Sequence, residues 1–158
     1  MADQSSIDKL KLLHPSVRQS AIDAYNEACR ITPVGIHPSI TETYRSFERS
    51  DALYAQGRTK PGNIVTNAKG GQSIHNYSLA FDFVMLINGK MNWDVDANWM
   101  KVVSVFKKYG WEWGGDWKGS LKDYPHFQKT NGLTLKQIQA KYKAKDFMPG
   151  TNFLNFEA

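Results

Sequence analysis

Between Leu79 and Ile87 the chain reads Leu-Ala-Phe-Asp-Phe-Val-Met-Leu-Ile, an apolar run interrupted by a single carboxylate. Side chains along a strand alternate in direction, so Leu79, Phe81 and Phe83 point one way and Ala80, Asp82 and Val84 the other. A carboxylate among such neighbours is costly unless it is paired or bound to a metal. Ala80 beside it is small and leaves room above the strand. Asn88-Gly89 follows at once and is a strong hairpin signal. The chain must therefore build a sheet with one greasy face and, on the other, a charge in need of a partner.

The remaining elements can be placed around that strand. From Pro15 to Ile31 the apolar positions Val17, Ala21, Ala24, Tyr25, Ala28 and Ile31 recur at helical spacing, and Pro33 ends the run. Ile36 to Tyr44 alternates as a strand, and Ser46 can cap a short helix that Gly57 stops. Residues 58–73 are rich in Gly, Asn and Pro, a long loop of the kind usually kept for function. Asp96 to Tyr109 is an amphipathic helix, Trp111 to Trp113 and Tyr124 to Lys129 are short strands, and Thr134-x-x-Gln137 is a capping box opening a last helix. Helices and antiparallel strands without βαβ alternation predict an α+β domain.

At 158 residues a single domain is expected, with no separate cell-wall-binding module. Lys and Arg outnumber Asp and Glu by 20 to 15, a formal charge of +5. Such a surface raises the encounter rate with nucleic acid, anionic lipid or the acidic bacterial wall, and equally serves plain solubility. Cys29 is the only cysteine, which excludes an internal disulfide and a thiolate cluster; within an apolar helical stripe it reads as a buried, inert thiol. No apolar stretch approaches the ~20 residues of a membrane span. The N-terminus lacks a basic region followed by an apolar run, so no secretory signal is expected.

Four histidines are present. His14 precedes Pro15 at a helix start and His37 precedes Pro38 in a strand; both read as structural or exposed. His75 ends the Gly-rich loop, seven residues before Asp82, and His126 lies in Asp123-Tyr124-Pro125-His126-Phe127-Gln128. Pro125 removes one ladder donor and suggests an edge or bend where a side chain can be aimed into a site. Two neutral imidazoles and a carboxylate are a standard three-ligand set for catalytic zinc, with a fourth position left for water. The same spacing also arises by chance.

The motifs are more specific. Ser73-Ile74-His75-Asn76-Tyr77-Ser78-Leu79-Ala80-Phe81-Asp82 resembles the Ser-x-His-x-x-Gly-x-Ala-x-Asp motif of the D-Ala-D-Ala metallopeptidase (VanY-like) group. Asp123-Tyr124-Pro125-His126-Phe127 resembles that group's second motif, an acid three residues before the last zinc ligand. Tyr44-Arg45-Ser46, Leu53-Tyr54-Ala55-Gln56-Gly57-Arg58-Thr59-x-Pro61-Gly62 and Trp113-Gly114-Gly115-Asp116-Trp117 are similar to its L-alanyl-D-glutamate endopeptidase branch, many of whose members are bacteriophage endolysins. The similarity runs from about Ile40 to about Leu135. One departure stands out: the usual Gly is Ser78 here, and any demand for positive φ would strain it.

The resemblance implies the hedgehog/D-Ala-D-Ala-peptidase-like α+β fold, a small antiparallel sheet carrying zinc on one face with helices packed behind. It implies Zn²⁺ held by His75, Asp82 and His126, Asp123 as the general base, and Arg45 polarising the scissile carbonyl or holding a substrate carboxylate. Read without it, Asp123 is a turn residue before Tyr-Pro and Arg45 an ordinary ion-pair residue. Ser73 is a candidate to hydrogen-bond a ligand or the substrate; Asp116 and the tryptophans around it read as loop packing. The implied partner is bacterial peptidoglycan, attacked by a monomer with neither nucleic acid nor membrane insertion. It would wait in the host cytoplasm until a pore-forming partner releases it. A D-Ala-D-Ala carboxypeptidase or dipeptidase of the same group, and a non-catalytic wall-binding or zinc-sensing module, are the alternatives. Asp123 speaks against the last, since binding zinc alone needs no base.

Overall fold

The apolar run becomes β2 (Ala80–Ile87), the central strand of a five-stranded antiparallel sheet in a computed structural model that describes residues 2–157. On one edge it pairs with β1 (Ile36–Glu42). On the other it pairs with β3 (Lys90–Asn92) near its end and with β5 (His126–Gln128) near its start, and β4 (Glu112–Trp113) continues outward from β5. Asn88 and Gly89 join β2 to β3 with φ of 49° and 81°, the two positive values that a tight hairpin matching strand twist requires. Among the described residues the pattern is α+β, as the lack of βαβ alternation predicts.

Alternation along β2 divides the sheet into two faces. Phe81, Phe83 and Met85 are buried on one, with Phe127 of β5 and Ile40 of β1 beside them. Helix α4 (Ala97–Lys108) lies against this face through Phe106 and Trp99, whose rings meet Phe81 and Phe83 at centroid distances of 5.0 and 4.3 Å. Each buried aromatic contributes roughly 1.5–3 kcal/mol from area alone. Helix α2 (Pro15–Ile31) packs on α4 and β1 through Val17, Ala21, Ala24, Tyr25 and Ala28. Its stripe closes on buried Cys29 rather than on Ile31, which is 43% exposed. Burial pushes the Cys29 thiol pKa up, so the thiolate is scarce and the group inert.

Side-chain caps set several boundaries. Ser46 accepts from the Arg49 N–H at the start of α3 (Phe47–Ala55). Thr134 and Gln137 exchange both bonds of a capping box at the start of α5 (Leu135–Lys143). His14, buried, caps α2 by accepting from the Ser16 N–H at 3.0 Å while its Nε2–H donates to the Leu154 carbonyl at 2.6 Å. An unforeseen helix, α1 (Gln4–Leu10), precedes these. Seven residues are too few to show a periodicity or to hold a helix alone. Docking supplies the stability: the Tyr25 hydroxyl bonds Asp3, the α1 cap, and Ser6 Oγ accepts from the Ile40 N–H at 2.8 Å.

β1 carries a bulge between Ile40 and Glu42. Without it these two residues would share a face; the inserted residue puts Ile40 opposite Phe83 in the core and Glu42 opposite Asp82 on the other side. Ser78 ends the single-turn 3-10 helix Ile74–Tyr77 that leads into β2, and it does so at φ 60°, ψ 32°. The position occupied by Gly in the motif therefore does demand the left-handed conformation, which costs a residue with a Cβ about 1–2 kcal/mol. Glycine there would also loosen the unfolded chain, offsetting about 0.4–1 kcal/mol of the gain. Ser78→Gly is expected to raise unfolding free energy by up to about 1.6 kcal/mol, read as a higher urea midpoint at unchanged slope; a clear loss of stability would contradict the strain.

Candidate metal centre

Residues facing each other across an antiparallel pair lie on the same side of the sheet. Asp82 faces Glu42 on β1 and His126 on β5, so the three make a polar row on the face opposite Phe81 and Phe127. Phe83 N–H donates to the Pro125 carbonyl at 3.1 Å, which extends the ladder to the residue before His126. His75 arrives from the turn ahead of β2. Ser73 caps that turn, its Oγ accepting from the His75 N–H at 3.2 Å. Asn76 ties it to the start of α3 by donating to the Arg45 carbonyl and to Ser50 Oγ, both at 2.9 Å.

His75 Nε2 and His126 Nδ1 each lie 3.2 Å from Asp82 Oδ1. The outer nitrogens are already committed. His75 Nδ1–H donates to the Thr43 carbonyl at 2.7 Å, and a carbonyl can only accept. His126 Nε2–H donates to Gln128 Oε1 at 2.8 Å. What remains is three electron-pair donors aimed at one point, which requires positive charge between them: protons on the imidazoles, or a cation. Donors about 2.0–2.1 Å from a tetrahedral zinc stand about 3.3 Å apart, close to the spacing found. All three ligand atoms lie within 4.8 Å of one another. The set fits a tetrahedral ion. The imidazole side chains are 4% and 7% exposed and the Asp82 side chain 22%, so the open side of the set faces solvent at Asp82.

The electrostatics follow from this geometry. Burial works against the Asp82 carboxylate, but the facing His75 and His126 imidazoles outweigh it and hold its pKa well below the usual carboxylate range. Burial likewise pulls His126 down, while its hydrogen bond to Asp82 and that carboxylate's charge bring it above its ordinary value. Asp123 moves up, first by burial and then by the negative charge of Asp82.

The three donors open into a cleft of roughly 540 Å³ that Arg45, Ser73, Asp123 and Trp117 also line, with Val65 and Thr66 of the long loop on its wall. Arg45 reaches it as half of a bidentate pair: Nε donates to Glu42 Oε1 at 2.8 Å and Nη2 to Oε2 at 2.5 Å. Arg45 is thus an ion-pair residue that also lines the cleft. Asp123 is held by its backbone. Its N–H donates to the Gly114 carbonyl at 3.0 Å, and a Cβ on Gly114 would sit 2.3 Å from the Asp123 oxygen, so no other residue fits there without displacing the turn. Trp113 Nε1–H adds a bond to the Tyr124 carbonyl at 2.7 Å.

Thus His75, Asp82, His126, Asp123, Arg45 and Ser73 all reach one cleft. His37 stays apart from it, 3.5 Å from Asp3. Asp116 pairs with Lys107 at the surface, in keeping with a loop role. Trp117 differs from the loop-packing expectation: it lines the cleft, its ring centroid 5.3 Å from that of His126. Glu42, Thr43, Glu112 and Gln128 were not foreseen. Gln128 was within reach, since it follows His126 by two in a strand and so shares its face. Glu112 carries no local signal.

Residues 66–129 match the family described as D-alanyl-D-alanine carboxypeptidase, a span that holds His75, Asp82, Asp123 and His126. The chain is 49% identical over 125 residues to the peptidoglycan L-alanyl-D-glutamate endopeptidase CwlK of Bacillus subtilis, covering 73% of this chain and 72% of that protein. It is 34% identical over 99 residues to an L-alanyl-D-glutamate peptidase of a Listeria phage, covering 60% of this chain and 31% of that one. Among solved structures, the Serratia marcescens L-Ala D-Glu endopeptidase ChiX superposes with a TM-score of 0.59 at 25% identity, over 80% of this chain and 87% of its own. The vancomycin-resistance D,D-dipeptidase VanXYg superposes at 0.54 and 17% identity, over 87% of this chain and 61% of its own, a likeness of fold.

Metal binding to these donors must expel imidazole protons. Zinc affinity of the metal-free chain is expected to be full above the raised pKa of His126 and to fall as pH drops below it, by about tenfold per unit for each proton displaced, measured by competition with a chromophoric chelator. If the three donors hold the metal, His75→Ala retains the fold and binds zinc far more weakly than the unaltered chain. One zinc held tightly per chain in that variant would refute the ligand set.

Proposed function

The chain belongs to the D-Ala-D-Ala metallopeptidase group, in its L-alanyl-D-glutamate endopeptidase branch, and from that premise we propose that it is a zinc enzyme hydrolysing the L-alanyl-D-glutamate bond of the peptidoglycan stem peptide. The observation that carries this reading is the convergence of His75, Asp82 and His126 at one point of a cleft that also holds Asp123 and Arg45.

When bound, zinc supplies an electrophile for the scissile carbonyl and lowers the pKa of water to about 7. The protein's own groups do the rest. Because their outer N–H groups are committed to Thr43 and Gln128, the nitrogens left to donate a lone pair are Nε2 of His75 and Nδ1 of His126. Asp123 takes the proton of the attacking water and hands it to the leaving amine nitrogen, a service worth typically 10²–10⁴-fold. Its raised pKa suits both halves of that exchange, acceptance and return. Arg45, its fork oriented by Glu42, has N–H groups left for the scissile carbonyl oxygen or a substrate carboxylate. Ser73 keeps the His75 turn closed.

We assign this activity to a phage lysin acting at host lysis, where a charge of +5 favours encounter with the acidic wall. Likeness to the Listeria phage peptidase supports that setting, while the Bacillus relative shows the same chemistry named in a bacterium. Among the described residues no helix is long and apolar enough to cross a membrane. Passage out of the host cytoplasm would fall to a pore-forming partner. A second reading, removal of a terminal D-Ala, is favoured by the description of the matching family.

Digestion of purified peptidoglycan by the zinc-loaded chain, followed by mass spectrometry, separates the two. Stem peptides beginning at D-Glu are expected; release of D-Ala would favour the second reading, and an unaltered wall would overturn both. Asp123→Ala is expected to keep zinc and fold and to lose at least about 10²-fold in rate. Normal hydrolysis by that variant would remove Asp123 from the chemistry.

A further inference from the structure

We infer that Gln128 and Glu112 act as positioning residues behind His126, forming a hydrogen-bond relay that aims its Nδ1 at the metal and ties that ligand to Trp117 on the cleft wall. The inference rests on the reading of His75, Asp82 and His126 as metal ligands.

A glutamine amide can offer an imidazole either its oxygen or its NH₂, with opposite consequences. The oxygen accepts Nε2–H and leaves Nδ1 a free lone pair; the NH₂ would place the proton on the nitrogen needed for the ion. Glu112 decides between them. Gln128 Nε2 donates to Glu112 Oε2 at 3.2 Å, which leaves Oε1 for His126 at 2.8 Å. The pairing of β4 with β5 sets Glu112 opposite Gln128, so the contact is built into the sheet.

The same carboxylate oxygen also accepts Trp117 Nε1–H at 2.9 Å. One line of bonds therefore runs from Trp117 through Glu112 and Gln128 to His126, while the Trp117 ring tilts 49° to the imidazole it covers. A negative charge behind the amide strengthens its oxygen as an acceptor and makes the imidazole a better donor. His75 is served differently: its outer N–H meets the backbone carbonyl of Thr43, which no substitution can remove. The side-chain relay is particular to His126.

The test is zinc affinity, measured on metal-free protein by competition with a chelator, together with the visible spectrum of the cobalt-substituted form. Gln128→Ala is expected to weaken zinc by about 10–100-fold and to shift the cobalt bands, with the metal-free melting temperature little changed. Glu112→Ala, which leaves His126 and Gln128 in place, is expected to weaken zinc by a smaller factor and carries the test should Gln128→Ala fail to fold. Glu112→Gln, whose amide oxygen can stand where Oε2 does and accept from both Gln128 and Trp117, keeps all three hydrogen bonds without the charge and should retain more of the affinity than Glu112→Ala. Affinities of the single variants within about twofold of the wild type would overturn the relay. So would a loss in Glu112→Gln as large as that in Glu112→Ala, because the hydrogen bonds would then contribute nothing. A wild-type chain that binds no zinc would bring down the ligand reading and the relay together; tight wild-type binding with indifferent variants would bring down the relay alone.

Discussion

One carboxylate oxygen, Asp82 Oδ1, faces two imidazole nitrogens at 3.2 Å from the middle of a sheet, and the molecule is organised around that triangle. Left alone, an ionised side chain in so apolar a strand would be strongly destabilising. The imidazoles reverse the balance, and they can do so only because their outer N–H groups have acceptors elsewhere. Each acceptor comes from another strand position: the Thr43 carbonyl just beyond β1, and Gln128 on β5. Separating the pieces would leave a buried charge and two misdirected rings, which is why the site and the sheet are one construction.

The two faces of β2 divide the labour. Phe81 and Phe83 interlock with Trp99 and Phe106 of α4, a rigid aromatic layer that fixes where the backbone of Asp82 lies. The opposite face needs departures from regularity to assemble polar groups. The bulge in β1 turns Glu42 towards Asp82, where it orients Arg45. Ser78 accepts a left-handed backbone so that the turn bearing His75 can end where β2 begins. Gly114 lacks a Cβ where the Asp123 carbonyl must pass. Each irregularity sets the position of a cleft residue (Glu42, His75 or Asp123) and none lies in the aromatic layer, as expected when local strain serves a site that the rest of the fold stabilises.

Local patterns carried far. The helical stripe of α2, the Asn88-Gly89 hairpin, the Ser46 cap and the Thr134–Gln137 capping box depend on neighbours within a turn or two, and each appears where its residues stand. The stripe missed only at its end, where Cys29 and not Ile31 meets the core. Helix α1 escaped notice because its stability is borrowed from Tyr25 and β1 rather than held in its own seven residues. In the cleft, Asp82 announced itself by being charged among apolar neighbours. Trp117 and Glu112 gave no such sign, for an aromatic in a Gly-rich loop and an acid beside a tryptophan are ordinary in sequence.

The sequence by itself determined which side chains could bind an ion and which strand would carry the central one, because alternation and burial cost are properties of neighbouring residues. Tertiary structure alone decided which nitrogen of each imidazole faces Asp82, that Glu42 would orient Arg45, and that Glu112 would stand behind Gln128. Those outcomes turn on strand register, and register is settled by pairing between segments distant in the chain, where a shift of one residue sends every side chain to the other face.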